Sequence, residues 1–145
     1  MDLAQSAEYP DFGPPASEDM IQAAEQYLGL RFPPSYREFL ALAGCGSFSG
    51  REFYGITPGG IEATAIPSVT FATMDERRHG LPAHFVLFED PGTDEQYVLD
   101  TQDLSREGEA PVKVWRPASD RGSLAVVASD FGTYLLRAAE EARSA

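Results

Sequence analysis

Residues 21–56 read IQAAEQYLGLRFPPSYREFLALAGCGSFSGREFYGI and predict two short helices joined by a Gly-to-Pro elbow and followed by a strand. Ser17 stands where an N-cap is needed, and Glu18 and Asp19 occupy the first turn, where the helix dipole favours acids. Ile21, Ala24, Tyr27 and Leu28 fall on one face, and Gly29 supplies a left-handed stop. Pro33 biases Phe32 toward extended backbone. Pro34 lacks an N–H that a helix start leaves unpaired anyway, so the second helix begins there. Tyr36, Phe39, Leu40 and Ala43 make its buried stripe, Gly44 ends it, and Glu52-Phe53-Tyr54-Gly55-Ile56 is strand-like.

Outward from this stretch, glycines and prolines punctuate residues 57–68, and Ile66 to Met74 reads either as a strand or as a short helix. Phe85 to Phe88 is a continuous apolar run suited to a buried strand, with Gln96 to Leu99 as its hairpin partner across Asp90-Pro91-Gly92-Thr93-Asp94. Val112, Val114 and Trp115 suggest a third strand. Ser129 beside Asp130 opens a last helix through Phe131, Leu135, Ala138 and Ala142. Residues 1–16 carry Asp2, Glu8 and Asp11 and end in Gly13-Pro14-Pro15, the pattern of a mobile or loosely packed lead-in, so the domain runs over residues 17–145. Helices, then strands, then a helix predict an α+β fold and not alternating α/β units.

The order and spacing of Ile21, Ala24, Glu25, Leu28 and Gly29, then Pro33, Tyr36, Arg37, Phe39 and Leu40, then Gly46, Tyr54 and Gly55 resemble the SUKH superfamily (SMI1/KNR4-like domains). That superfamily is named partly for a fungal cell-wall-synthesis regulator and is abundant among bacterial toxin-immunity proteins. The resemblance continues through Leu81-Pro82, Phe85 to Glu89, Asp90 and Gly92, Tyr97 to Asp100, Pro111-Val112, Trp115 and the closing helix with Phe131, Tyr134, Leu135 and Leu136. One departure is Ala43-Gly44-Cys45-Gly46, where the family pattern has an Asn-Gly-type turn; extra glycine serves the same backbone role. The resemblance implies a single domain in which an N-terminal helical hairpin packs with a mainly antiparallel sheet and a C-terminal helix. It also implies a helix near 66–74 and an ion pair between Glu25 and Arg37 across the hairpin.

Composition bounds the function. A chain of 145 residues with 43% hydrophobic and 23% charged residues is the size and make-up of one globular domain. Its 23 acidic against 11 basic residues, a formal charge of −12, argue against direct nucleic-acid binding, and Lys113 is the only lysine. No apolar run reaches the ~20 residues that span a bilayer, Met1-Asp2-Leu3 lacks the start of a signal peptide, and the single Cys45 cannot form an internal disulfide. A cytoplasmic location is expected.

Candidate chemistry is sparse. His79 and His84 are separated by Gly80 and Pro82, which break any helix that would align them on zinc. Cys45 between two glycines has nothing in sequence to orient a base toward it, and a small residue in a tight turn is the better reading. The acids from Asp90 onward lack the D-x-[DN]-x-[DN]-G calcium loop, and Glu89 with Asp90 is a pair any acidic hairpin offers. Gly44-Cys45-Gly46 and Gly59-Gly60 lack the Gly-Lys-Ser/Thr of a phosphate loop, and Arg77-Arg78 read as a solvated helix end. No catalytic residue, metal or cofactor is expected.

The charge distribution is the stronger signal. Glu89, Asp90, Asp94, Glu95, Asp100, Asp103, Glu107 and Glu109 face a single base, Arg106, within one hairpin and the loop after it. Such a segment is either a solubilising face or a docking surface for a basic protein. With the resemblance, it points to a non-enzymatic immunity protein that binds a cognate basic toxin, such as a nuclease, and occludes its active site. The alternative is an intracellular regulatory or scaffold module without a toxin partner. Phe53, Tyr54 and Trp115 are possible aromatic anchors, although strand spacing favours their facing inward.

Overall fold

The computed structural model of the chain describes residues 11–117 and 124–144, so residues 1–10 of the expected lead-in lie outside the described residues. Helix α1 (Glu18–Leu28) starts at Ser17, whose hydroxyl accepts from the Met20 amide at 3.2 Å, and stops at Gly29 with φ 72°. Helix α2 (Pro34–Ala43) starts on its proline, buries Tyr36, Phe39, Leu40 and Ala43, and stops at Gly44. Tyr27 departs from the expectation. It is 47% exposed, because α1 buries the arc of Ile21, Ala24, Glu25 and Leu28, and Tyr27 sits one residue step, about 100°, away from Leu28.

The strand expected over residues 52–56 is narrower. Strand β3 (Arg51–Phe53) pairs antiparallel with β2 (Gly46–Phe48), which pairs with β1 (Asp11–Phe12). Beyond Phe53 the chain changes partners: the Tyr54 amide donates to Phe88 O at 2.7 Å and the Gly55 amide to Pro67 O at 2.9 Å. Gly55 lies so close to Gly44 that a Cβ would fall on the Gly44 carbonyl oxygen, and Gly44 at φ 69° has Pro14 O where a side chain would go. The glycine-rich departure from the family pattern therefore permits close backbone approach, a stricter role than making a turn. On the other side of this junction, Gly13 N donates to Cys45 O, Ala16 N donates to Leu40 O, and Ala16 is buried.

Helix α3 (Val69–Arg77), capped by Ser68, resolves the ambiguous 66–74 stretch as helical. A second antiparallel sheet follows in the order β4 (Phe85–Glu89), β5 (Gln96–Asp100), β6 (Val112–Trp115), β7 (Val126–Ala128), and α4 (Phe131–Ser144) closes the chain. With four α-helices and two antiparallel sheets among the described residues, the fold is α+β. Phe131 is the hub: its ring lies 4.9 Å from Tyr36, 5.2 Å from Phe39 and 5.2 Å from Phe88, tying α4, α2 and β4 together. Tyr36 is fully buried, and its hydroxyl donates to Tyr54 O at 2.7 Å, so the elbow helix is locked to the residue that leaves the first sheet.

Candidate protein-binding surface

The eight acids from Glu89 to Glu109 do not form one face. Glu89 and Asp100 are buried at strand ends. Asp90, Asp94, Asp103 and Glu107 are exposed, and Glu95 and Glu109 are half-buried. Asp90 at the hairpin tip accepts from Gly92 N at 2.9 Å and Gln96 Nε2 at 3.1 Å, which fixes the loop while leaving the carboxylate at the surface. Glu95 pairs with Arg116 at 2.7 Å. Asp100 holds Lys113 at 2.8 Å, with His84 Nε2 at 3.6 Å on its other oxygen, and Asp103 reaches the same ammonium at 3.3 Å. Lys113 and Arg116 are thus held by acids of this segment, while Asp90, Asp94 and Glu107 are exposed, with Arg106 exposed among them.

Glu89 builds a second feature. Its carboxylate, 3% exposed, takes Arg51 Nε at 2.9 Å and Arg51 Nη2 at 3.0 Å in a bidentate pair, and accepts from the Tyr134 hydroxyl at 2.6 Å. The guanidinium lies over the Phe53 ring at 5.2 Å and the Tyr134 ring at 5.4 Å. Burial, with the neighbouring Glu89 charge, pushes the Tyr134 phenol far above its usual range. This network floors a cleft of about 430 Å³ beside the hairpin, rimmed by Pro91, Tyr97, Arg137 and Glu141. Periodicity gave no hint of it, because a strand of consecutive buried residues carries no inside–outside alternation.

Glu109 serves a helix start. Its carboxylate accepts from the Ser35 amide and the Ser35 hydroxyl, each at 3.0 Å, in the first turn of α2, and Ser35 Oγ in turn accepts from Gly132 N at 3.0 Å in the first turn of α4. Ser35 following Pro34 was the available sequence signal for such a capping partner.

The Glu25–Arg37 pair forms as the resemblance implied, with Arg37 Nη2 at 3.0 Å from Glu25 and 2.8 Å from Glu18. Hydrogen bonds from Arg37, then Gln22, bring the Glu18 carboxyl down to about 2. Burial pulls the Glu25 carboxyl upward, but hydrogen bonds from Arg37 and the Phe32 amide outweigh it and leave the group below its usual range. Both carboxyls are depressed in the folded state, so their contribution is present above the ordinary value of 4.5 and is lost as pH falls from there toward about 2. Calorimetric melting should show the wild-type midpoint falling more steeply across that window than the midpoint of Arg37→Leu; parallel curves would contradict this assignment.

Burial raises the Cys45 thiol above its ordinary value, and the Glu52 and Asp11 charges add to that, against a hydrogen bond from the Gly13 backbone. Alkylation of Cys45 by iodoacetamide at neutral pH is expected to be slower than that of a free thiol, and a faster rate would reveal an activated thiolate. His84 turns to Asp100, and Arg77 is no free helix end, since it donates to Leu28 O at 2.8 Å and Ala83 O at 2.7 Å. Asp75, Glu76 and His79 bring ligand atoms within 4.8 Å of one another at the end of α3, with His79 Nδ1 3.1 Å from its own turn's Asp75 O. Phe53, Tyr54 and Trp115 are all buried and so are core. Among the described residues no helix is long and apolar enough to cross a membrane.

Comparison with known proteins places this arrangement. A family model described as SMI1-KNR4 cell-wall, of the SUKH group, matches residues 18–135. Among curated proteins none matches the chain. Among solved structures, a crystal structure of a protein from Pseudomonas syringae pv. tomato is similar with a TM-score of 0.56 at 16% identity, covering 78% of this chain and 84% of that one, a likeness of fold alone.

Proposed function

The chain belongs to the SUKH family of SMI1/KNR4-like domains, and from that premise we propose that it is a non-enzymatic immunity protein that binds a cognate bacterial toxin domain in the cytoplasm and covers its active site. The observation that supports this most is the pairing pattern of the acidic segment. Lys113, Arg51 and Arg116 are paired with acids of the chain itself, while Asp90, Asp94 and Glu107, and Asp103 beside Lys113, are exposed on two pinned loops that carry one exposed base, Arg106, on a chain of net charge −12. Preordered acids steer a basic partner and lose little freedom on binding it. A basic partner of this kind is one whose own groove binds a polyanion, as a nuclease groove does.

The test is rescue. Cells expressing the toxin domain encoded beside this chain's gene should survive when the chain is co-expressed, and the two proteins should copurify. Absence of any toxin gene alongside, or death despite co-expression, would overturn the reading. The cell-wall wording of the matched family's description favours a second reading, a regulatory interaction module. Genome neighbourhood separates the two, because a regulator has no need of an adjacent secreted effector.

A further inference from the structure

At the end of α3, Asp75, Glu76 and His79 each bring one ligand atom to within 4.8 Å of the other two, and among the described residues no other three His, Cys, Asp or Glu side chains come this close. We infer that these three residues form a surface site for a divalent cation of the zinc class, an inference that stands apart from the toxin reading.

Backbone geometry puts them together. The helical turn is carried past Arg77 by the Arg78 amide donating to Asp75 O at 3.1 Å and the His79 amide donating to Glu76 O at 2.8 Å. Asp75 and His79 are four residues apart and Glu76 and His79 three, so both acids share a face with the imidazole.

The placement runs against helix electrostatics. A helix C-terminus carries partial negative charge and favours cations, yet Asp75 and Glu76 stand in the last turn of α3. Arg77, in the same turn, does not offset them, since it donates to Leu28 O, Ala83 O and the Met74 sulfur. Arg78 reaches Asp75 only at 3.7 Å with 74% of its side chain exposed, and Glu76 makes no ion pair among the described residues. Two carboxylates and a helix end thus face one loosely held counter-ion, and a bound cation relieves that excess.

The donor set selects the metal. His79 Nδ1 lies 3.1 Å from Asp75 O, and because a carbonyl only accepts, Nδ1 carries the proton and Nε2 keeps its lone pair. Metal-bound histidines are commonly oriented in this way, with the second ring nitrogen donating to a backbone carbonyl. One imidazole nitrogen with two carboxylates suits zinc, whereas magnesium and calcium take oxygen ligands and copper(I) is selected by thiolates, which this set lacks. Tetrahedral zinc sets its ligand atoms about 3.4 Å apart, so these must close by at most about 1.4 Å, within reach of side-chain rotation at a half-buried to exposed position. Three protein ligands leave a fourth position for water or a partner's donor. His84 is no rival, because Asp100 beside it already holds Lys113 at 2.8 Å.

The experiment is a Zn²⁺ titration of the full chain, free of any polyhistidine tag, followed at neutral pH by calorimetry and by NMR of the two histidine rings. One equivalent of Zn²⁺ should bind, shifting the His79 ring and leaving His84 in place, and Mg²⁺ at the same concentration should do neither. His79→Ala should weaken binding by about tenfold or more, Glu76→Gln by about tenfold, and Arg78→Gln should tighten it by about threefold by freeing Asp75. His79 is exposed, so with EDTA present His79→Ala should keep the wild-type thermal midpoint, which separates loss of a ligand from loss of fold. Absence of binding, unchanged affinity in His79→Ala, a shift centred on His84, or an equal response to Mg²⁺, the mark of a diffuse acidic surface, would each overturn the inference.

Discussion

Replacing Arg51 by Met should lower stability by about 3 kcal/mol, a fall of roughly 10 °C in thermal midpoint for a chain of this size. The reason is Glu89, whose side chain is 3% exposed and whose two oxygens are taken by Arg51 and Tyr134. Methionine can still cover the Phe53 and Tyr134 rings, so what the variant removes is mainly charge compensation. The expected loss lies at the low end for a broken buried pair because Arg51 keeps 30% side-chain exposure and water can reach the remaining carboxylate. Adding Glu89→Gln to Arg51→Met should recover at least half of the loss, since the uncompensated charge is gone and the amide can still accept from Tyr134. A single variant within about 1 kcal/mol of wild type, with no recovery in the double variant, would mean that the network is incidental to the fold.

Reversing the outward acids, Asp90→Lys, Asp94→Lys, Asp103→Lys and Glu107→Lys together, should slow association with a basic partner by about a hundredfold at low salt and flatten its salt dependence. These four positions differ from the full acidic set in one respect that matters for the test. Asp100 and Glu89 are buried against their cations, so reversing them would unfold the chain before it informed on binding. Asp103 is the mixed case, 64% exposed yet 3.3 Å from Lys113, and circular dichroism of the quadruple variant should confirm an intact fold. Unchanged association kinetics in a folded quadruple variant would remove this segment from the interface.

Much of the fold was legible because its signals are local. Ser17, Gly29, Pro34 and Gly44 mark helix ends through their own backbone preferences, and Phe85–Glu89 with Gln96–Asp100 form a hairpin around a turn rich in Asp, Pro and Gly. The short strands β1, β2 and β7 were not legible, since runs of two or three residues are strands only by virtue of their partners. The candidate site divides along the same line. Net charge and its clustering are properties of composition, but which acids face outward depends on where Arg51, Lys113 and Ser35 arrive from distant parts of the chain. In β4 a register shift between Leu87 and Glu89, on a strand buried throughout, leaves no alternation from which to read that Glu89 points inward. Residues 21–56 thus identify the family through packing and backbone geometry, whereas the surface proposed to do the binding lies mostly downstream, on loops pinned by long-range contacts.

The claim that this domain acts by covering a toxin's active site meets its most direct test in an activity titration. Any toxin domain found encoded beside this gene would be assayed on its substrate with increasing amounts of the purified chain. Activity falling to background at one equivalent, in step with formation of a one-to-one complex, is the predicted result. Full toxin activity in the presence of excess chain, whether or not a complex forms, would contradict it.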